Sequence, residues 1–472
     1  MTQLLDVRSR TATLFTAPGT GLAVMGGAAA TVLALATSGL VLSAPLMTAG
    51  SVAAMAVLVL AWLGLGRELP ALSTRRLYAI TAVWAAPLLV ARPLFSHDVW
   101  SYIAQGITAA RGLDAYRYGP AEALDPGSAV VGQVSHYWLD TPAPYGPAWM
   151  LLSRLAGAGA GEHLVAGVAL YRLLALAGVL LIAWSLPRLA RRCSTAPATA
   201  LWLGLLNPLV LWHLVAGVHN DALMLGLMLS GLHLSLEALD KLADRAPGRW
   251  PELVLGLTLL TVAANIKIVA AVALCFVAIR SLSVLLLSTG VFVSLTLALS
   301  TLAGFGWVTA PFAATTSVYS WMSPSTVLGL LLGLFNAELT QPAVTFTNLT
   351  GLTVGALLAL RLIHRTRLNP VHGVGLVFAL VVASSPVVQP WYLLWALLPL
   401  AATAASARRV RVVAGFSAVA AMLLPPVVTP GISLVLGYLL AVALIAGALL
   451  ANYLLDGRSA ALEPSTAQGL RT

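Results

Sequence analysis

The chain has 472 residues, of which 59% are hydrophobic and only 9% are charged, and its mean hydropathy is +0.92. Soluble domains carry about 25% charged residues, so this composition excludes an ordinary soluble protein. The net charge of +10 does not indicate a nucleic-acid partner, because the Lys and Arg residues form small clusters between apolar runs. Apolar runs long enough to cross a bilayer recur from end to end, which predicts an all-α polytopic membrane protein.

The first part of the chain predicts three crossings. A short basic tail over residues 1–20 precedes apolar runs at about 21–43, 47–65 and 77–95. Positive residues favour the cytoplasmic side of a membrane, so we expect the tail inside and the following segment, 96–162, outside. Between residues 96 and 146 this loop holds five acids against two arginines, which fits an external face.

The apolar stretch 147–159 is short, and the run 163–186 follows it at once. If both crossed the membrane, the basic cluster Arg188, Arg191 and Arg192 would lie outside. We therefore predict that 147–159 is a helix lying at the membrane interface and that only 163–186 crosses.

The remaining crossings follow the same reasoning. The stretch 251–280 is too long for one ordinary span and is interrupted at Asn265-Ile266-Lys267, which predicts two short helices with Lys267 near their outer turn. A membrane-dipping helix is expected at 325–335. The other predicted spans are 198–216, 220–239, 282–304, 344–363, 371–386, 391–405, 412–428 and 431–453.

This topology predicts one transmembrane domain over residues 1–472, with about 13 to 14 transmembrane helices, some of them short or re-entrant. Both tails, 1–20 and 456–472, are expected in the cytoplasm of a plasma-membrane protein. Of the 26 Lys and Arg residues, about 20 fall in the predicted internal segments. Cys193 lies in a basic loop and Cys275 in an apolar run, so no disulfide is predicted.

Asp98 is the first acid after the third predicted span, in the sequence Ser96-His97-Asp98-Val99-Trp100. It could cap a helix over 98–111. It could also act as a general base, because a carboxylate beside the low dielectric of a bilayer has a raised pKa and accepts an alcohol proton well. The sequence leaves both roles open.

Two basic residues lie within apolar sequence. Lys267 follows Val262-Ala263-Ala264 and could be a snorkelling lysine, but charge inside a membrane is costly and is by default functional. An ammonium at this depth suits the phosphate of a lipid phosphate. Arg172 invites the same interpretation.

A third candidate cluster is the predicted external turn His219-Asn220-Asp221, which could cap the next helix or hydrogen-bond sugar hydroxyls. The spacing of His213, His219 and Asp221 matches no helical pair of metal ligands, so no metal site is predicted, although a divalent metal stays open. Trp138 and Trp391 lie in proline-containing stretches and are candidate platforms for stacking sugars.

Several motifs together resemble the actinobacterial polyprenyl-phosphomannose-dependent alpha-1,6-mannosyltransferases, which are GT-C glycosyltransferases. The resemblance spans residues 90 to 400 and rests on four stretches: 96–102 with Gln105-Gly106, then 141–147, 217–223 and 386–392. It implies the GT-C fold, with juxtamembrane helices at 98–111 and 147–159 in the external loop 96–162. Many of these enzymes have two acids where this chain has His97 and Asp98.

The resemblance also implies a reaction. Mannose would move from polyprenyl-phosphate mannose, with inversion, to the 6-hydroxyl of a phosphatidylinositol mannoside or lipomannan acceptor, on the external face. Asp98 would be the base, and Lys267 with Arg172 would hold the donor phosphate. The residues expected to position the sugars are His97, Trp138, Tyr145, His219, Asn220, Asp221 and Trp391.

Two other functions compete with this one. A GT-C enzyme that uses another polyprenyl-linked sugar fits the same residues, since nothing in the sequence selects mannose by physical chemistry. A lipid or solute transporter predicts polar groups on both sides of the membrane and internal repeats, whereas the candidate residues here concentrate on the external side.

Overall fold

A computed structural model describes residues 17–36, 44–244, 249–310, 320–365, 368–425 and 432–462. Most of the two predicted cytoplasmic tails lies outside these residues, as do the ends of the predicted spans 21–43 and 412–428. The described residues form helices and connecting segments with no β-strand. The protein is therefore an all-α polytopic membrane protein, as the composition predicts.

Eighteen α-helices make up the described chain. The first half contains α1 (Thr20–Leu35), α2 (Ala44–Glu68), α3 (Thr74–Val90), α4 (Asp98–Ala110), α5 (Pro120–Ala123), α6 (Pro147–Ala160), α7 (Leu164–Arg192), α8 (Pro197–Leu203) and α9 (Asp221–Ala243). The second half contains α10 (Trp250–Ala264), α11 (Ala271–Ala278), α12 (Leu282–Ala303), α13 (Pro324–Gly333), α14 (Thr340–Ile363), α15 (Pro370–Ser384), α16 (Leu393–Ala402), α17 (Ala407–Ala421) and α18 (Ile432–Leu462).

Local sequence sets many of the helix starts. Serine or asparagine side chains accept a hydrogen bond from the first turn of five α-helices, which satisfies a backbone donor that the helix itself leaves free. These caps are Ser73, Ser281, Ser323, Asn369 and Ser406. Proline occupies one of the first two positions of other helices, including α6 and α8, where its missing N–H costs nothing.

Six of the described helices are long and apolar enough to cross a bilayer, namely α2, α7, α9, α12, α14 and α18. Helix α9 packs between α7 and α10, and 72% of its most apolar window is buried in the protein. Only 11% of the corresponding window of α18 is buried. Helix α9 is therefore central to the bundle, while α18 presents its apolar surface outward to lipid.

The loop 96–162, predicted to be external, folds onto the bundle through two helices that pack on each other, α4 and α6. Both predicted juxtamembrane helices are thus confirmed as helices. Two glycines allow the close approach. A Cβ on Gly106 would lie 2.5 Å from the carbonyl oxygen of Ser153, and one on Gly157 would collide with the backbone of Gly106.

The predicted interruption near Lys267 is also present. Helix α10 ends at Ala264, a single 3-10 turn runs over Ile268–Ala270, and α11 follows. The side-chain amide of Asn265 donates to Thr296 Oγ1 of α12 at 2.8 Å, which fixes the break against a neighbouring helix. Lys267 is therefore held at a junction between helices.

We expect the connection between α6 and α7 to face the exterior. In a variant without Cys193 and Cys275, a cysteine at Glu162 should react with a membrane-impermeant maleimide added to intact cells, because this residue is half-exposed and lies between the two helices. Glu162 is preferable to Gly161, whose φ of 53° disfavours a side chain.

The matched control is a cysteine at Ala405, in the predicted internal turn between α16 and α17, which should react only after lysis. Labelling of Glu162→Cys only in lysed cells would place α6 across the membrane and overturn the predicted topology.

Candidate functional site

The first element of the site is the turn that leads into α4. Phe95 adopts a left-handed backbone with φ 66°, which a bulky residue rarely does, and its ring stacks on Trp212 at 5.5 Å. The Asp98 N–H donates to Ser96 Oγ at 3.0 Å, and α4 begins at Asp98 itself. The carboxylate of Asp98 is thus on the first turn, beyond the N-cap position that His97 occupies.

A second strained turn lies opposite. A π-helix over Val210–Ala216 leads to Val218, a β-branched residue with φ 57°, immediately before His219. The Leu94 N–H donates to the Ala216 carbonyl at 3.2 Å, which ties this turn to the one before Asp98. Backbone strain of this kind costs about 1–3 kcal/mol and persists where the surrounding structure holds it. The two turns together bring His219 to Asp98.

Asp98 lines a cavity of about 290 Å³. The side chain of Asp98 is 13% exposed, so the carboxylate reaches the cavity while most of its surface is buried. The cavity lies between the start of α4, the loop before α6, the start of α13 and the turn before α16. Its lining includes His97, Trp138, Trp321, Gln389 and Trp391.

Burial raises the pKa of Asp98 to about 6, because the carboxylate loses hydration. The ammonium of Lys267 acts in the opposite direction, whereas the nearby carboxylate of Asp221 raises this pKa further. Hydrogen bonds from the side chains of Ser96 and Trp138 lower it slightly. Asp98 therefore suits accepting a proton near neutral pH.

His219 lies close to the Asp98 carboxylate. Its Nδ1 lies 3.5 Å from Asp98 Oδ2, which is longer than an ordinary hydrogen bond. The ring stacks on Trp391 with centroids 3.7 Å apart, and it is fully buried. Burial lowers the pKa of His219 well below its usual value, so the ring is neutral at neutral pH and supplies no counter-charge to Asp98.

A buried ion pair lies behind this cavity. Lys267 Nζ is 2.6 Å from Asp221 Oδ2, and the indole N–H of Trp395 donates to Asp221 Oδ1 at 2.7 Å. Asp221 is fully buried and the side chain of Lys267 is 12% exposed. Both oxygens of the Asp221 carboxylate are thus engaged, which is what a buried charge requires.

Aromatic rings surround the ammonium of Lys267. Nζ lies 5.2 Å from the ring centroid of Tyr392 and 5.8 Å from those of Tyr145 and Trp395. These distances are within the range of cation–π attraction. The ring of Tyr145 also packs edge-on against Tyr102 of α4.

The backbone around Tyr145 is docked onto the helix break. The Gly146 N–H donates to the Ile266 carbonyl at 3.0 Å, and the Ala148 N–H donates to the Asn265 carbonyl at 3.0 Å. A Cβ on Gly146 would collide with the backbone of Asn265. The glycine in this motif therefore permits the contact that places Tyr145 beside Lys267.

The predicted site residues fall into three places. His97, Trp138 and Trp391 line the cavity with Asp98. Residues behind it are Tyr145, His219, Asn220, Asp221 and Lys267; among these, Asn220 is buried with its Oδ1 3.5 Å from the Tyr102 hydroxyl. Arg172 lies on another groove, where its guanidinium donates to the Ala91 carbonyl at 2.9 Å. The structure thus brings together all the predicted residues except Arg172.

Sequence reasoning missed Trp395 and Tyr102. Trp395 lies four residues after Trp391, one helical turn further along, which was a signal that both could face the same site. Tyr102 lies four residues after Asp98, and its backbone carbonyl accepts a 2.6 Å hydrogen bond from the Tyr171 hydroxyl. Within the described residues, no group of three or more His, Cys, Asp or Glu side chains is arranged to hold a metal ion.

Comparison with known proteins supplies a family. Residues 10–283 match the family model described as "Alpha-(1->6)-mannopyranosyltransferase, N-terminal domain", and residues 322–455 match the MptB C-terminal domain. The chain is 39% identical to an alpha-(1->6)-mannopyranosyltransferase of Mycobacterium tuberculosis, over 74% of this chain and 69% of that protein. It is 35% identical to alpha-(1->6)-mannopyranosyltransferase A of the same organism, over 80% of this chain and 75% of the relative.

The buried ion pair yields a stability prediction. Lys267→Met leaves the Asp221 carboxylate buried without its cation, and we expect it to lower the free energy of unfolding by about 3–5 kcal/mol. The double variant Lys267→Met/Asp221→Asn should recover much of that loss, because asparagine is neutral and still accepts from Trp395. Unfolding by SDS in mixed micelles measures both.

The matched control is Lys241→Met, which removes a lysine whose partner Glu237 is 42% exposed and should cost no more than about 1 kcal/mol. Equal losses for Lys267→Met and Lys241→Met would contradict the assignment of a buried, mutually dependent pair.

Proposed function

The chain belongs to the alpha-(1->6)-mannopyranosyltransferase family, and on that premise we propose that it transfers mannose from polyprenyl-phosphate mannose to the 6-hydroxyl of a mannoside acceptor. The protein is a multi-pass membrane glycosyltransferase that uses a sugar donor and a mannoside acceptor.

The observation that supports a lipid-linked donor is the junction of two cavities. The cavity that Asp98 lines shares Trp321, Met322 and Val388 with an apolar groove of about 570 Å³. Residues of α15, α16 and α17 form the walls of this groove, and most of its surface is hydrocarbon. A polyprenyl chain in the groove would deliver its phosphate-linked sugar to the cavity, because a long apolar chain binds favourably to such a wall.

Asp98 is the proposed general base. The 6-hydroxyl oxygen of the acceptor attacks the anomeric carbon of the donor mannose, and its proton passes to the Asp98 carboxylate. The bond between the anomeric carbon and the phosphate oxygen breaks, and its electron pair stays on the polyprenyl phosphate. Attack from the face opposite the leaving group converts a β-linked donor into an α-linked product, so the reaction inverts the configuration.

Lys267 is the proposed electrostatic partner of the leaving phosphate. An ammonium has three donors, of which Asp221 takes one, so two remain for phosphate oxygens. The negative charge on the phosphate grows as the bond breaks, and a fixed cation in a partly dehydrated site stabilises that charge most in the transition state. The phosphate needs no general acid, because a phosphate ester is already a stable anion when it leaves.

The sugars are proposed to bind against the lining of the Asp98 cavity. Trp138 and Trp391 offer aromatic faces for stacking, and His97 and Gln389 offer polar groups for hydroxyls. Tyr145, His219, Asn220 and Asp221 support this lining from behind.

The reaction is proposed to take place on the external face of the plasma membrane, with both termini in the cytoplasm. The distribution of Lys and Arg supports this orientation. The proposed acceptors are phosphatidylinositol mannosides or lipomannan, in the synthesis of an alpha-1,6-linked mannan core.

Substituting the base tests the proposal. Asp98→Asn should lower kcat for mannosyl transfer by about 10²–10⁴-fold, the usual contribution of a general base. The variant should still fold at pH 7. Burial raises the pKa of Asp98, so the ionised carboxylate lowers the stability of the folded state, and asparagine carries no charge. The assay is transfer from polyprenyl-phosphate mannose to a synthetic mannoside by purified protein.

Asp140→Asn is the control, since it removes an exposed carboxylate from the same loop and should leave kcat within about two-fold. Turnover by folded Asp98→Asn that matches Asp140→Asn would rule out Asp98 as the base.

The pH profile is a second test. A general base acts when ionised, so kcat/KM should rise with pH through about 6, the pKa of Asp98, and then level off. The acid limb should be absent from the residual activity of Asp98→Asn. A wild-type profile that stays flat between about pH 7.5 and 5 would contradict this role, since Asp98 would then be mostly protonated at the lower end.

A further inference from the structure

A groove separate from the Asp98 cavity carries two arginines. It has a volume of about 580 Å³ and lies between the end of α3, the start of α4 and the outer half of α7. Arg92 and Arg172 line it among mostly apolar side chains, and none of its described lining residues is acidic. It shares no lining residue with the cavity of Asp98. The groove therefore has a positive charge that its own walls leave uncompensated.

The position of Arg172 on α7 brings its charge toward the membrane surface. Arg172 lies eight residues after Leu164, where α7 begins, so its Cα is about 12 Å along the helix. Side chains in a helix lean toward its N-terminus, which is here the predicted external end. The guanidinium thus reaches the end of α3, where Nη2 donates to the Ala91 carbonyl at 2.9 Å.

Capping of α3 explains only part of this arrangement. Ala91 follows the last residue of α3, and a cation is favourable at a helix C-terminus. That contact uses one of the five N–H donors of a guanidinium. Nε of Arg172 is buried and has no hydrogen-bond partner in the described part of the chain. A second guanidinium, on the exposed Arg92, would not be needed for the cap.

The walls of the groove suit both the phosphate group and the acyl chain of a phospholipid. The apolar face formed by Val168, Leu173 and Leu176 of α7 continues along the helix from the two arginines. Val165 and Leu173 are 86% and 62% exposed, so the groove opens outward on a lipid-facing helix. Guanidinium groups bind phosphate oxygens through paired hydrogen bonds, and the apolar face suits an acyl chain.

We propose that this groove binds an anionic phospholipid of the bilayer, with its phosphate between Arg92 and Arg172 and an acyl chain along α7. The bound lipid also contacts Trp100, which lines the groove two residues after Asp98 in α4. Occupancy of the groove would then stabilise the helix that carries the proposed base. This site is distinct from the proposed donor groove and does not depend on the identity of the sugar.

The test uses the full-length protein in phosphatidylcholine nanodiscs with increasing fractions of phosphatidylglycerol. Wild type should unfold at a higher temperature as the phosphatidylglycerol fraction rises, because a ligand of the folded state stabilises it. The variant Arg92→Gln/Arg172→Gln should need at least about ten-fold more phosphatidylglycerol for the same rise in unfolding temperature. Glutamine keeps an N–H that can still donate to the Ala91 carbonyl.

Arg154→Gln is the matched control, since Arg154 is an exposed arginine of α6 on a different cavity that also contains Asp114. It should keep the wild-type response. If the double variant does not fold, Arg92→Gln alone and native mass spectrometry of co-purified phosphatidylglycerol give the same comparison.

Five outcomes would overturn the proposal. These are no phosphatidylglycerol response in wild type, an unchanged response in folded Arg92→Gln/Arg172→Gln, or an equal loss in Arg154→Gln. The fourth is an equal shift with inorganic phosphate alone, which would indicate a site for a soluble anion. A raised KM for polyprenyl-phosphate mannose in Arg172→Gln, with the phosphatidylglycerol response intact, would instead assign Arg172 to the donor and also overturn it.

Discussion

The ammonium of Lys267 interacts with two carboxylates, Asp221 and Asp98, but it pairs directly only with Asp221. The proposed chemistry depends on this difference between the two carboxylates. Lys267 pairs directly with Asp221, whose second oxygen is held by Trp395. Lys267 acts on Asp98 only through its longer-range electrostatic field, and His219, whose Nδ1 lies 3.5 Å from Asp98, is neutral because it is buried. Burial raises the pKa of Asp98, and the more distant ammonium of Lys267 offsets only part of that rise, so the Asp98 carboxylate suits accepting a proton.

The backbone holds this charge arrangement in place. Two left-handed residues, Phe95 and Val218, form the turns before Asp98 and His219, and a hydrogen bond between Leu94 and Ala216 ties those turns together. On the other side, Gly146 lets the loop before α6 dock onto the helix break that carries Lys267. The strain in the two turns is tolerated because the surrounding packing fixes them, which is typical of functional sites. The reaction centre proposed here is thus a meeting point of four segments that are far apart in the sequence.

Local features of the sequence predicted a good part of this arrangement. Apolar length, charge distribution and turn residues were enough to predict three features. These are the acid after the third apolar run, the two helices of the loop 96–162 and the helix break at Asn265-Ile266-Lys267. The pairing of Lys267 with Asp221 could not be predicted in the same way, since the two residues are 46 positions apart and only packing brings them together. Packing also explains why Arg172 lies away from the Asp98 cavity, which the sequence did not predict. The sequence shows an arginine within an apolar run, but the groove that it lines depends on how α3 and α4 pack against α7.

In the proposed mechanism the Asp98 carboxylate receives the proton of the acceptor hydroxyl. The most direct measurement is an experimental structure of the wild-type protein with polyprenyl phosphate and a mannoside acceptor bound together. We expect the acceptor 6-hydroxyl oxygen within about 2.6–3.2 Å of an Asp98 oxygen, with the polyprenyl phosphate on the Lys267 side of the site. An acceptor bound with its 6-hydroxyl away from Asp98, facing another ionisable group, would contradict the account.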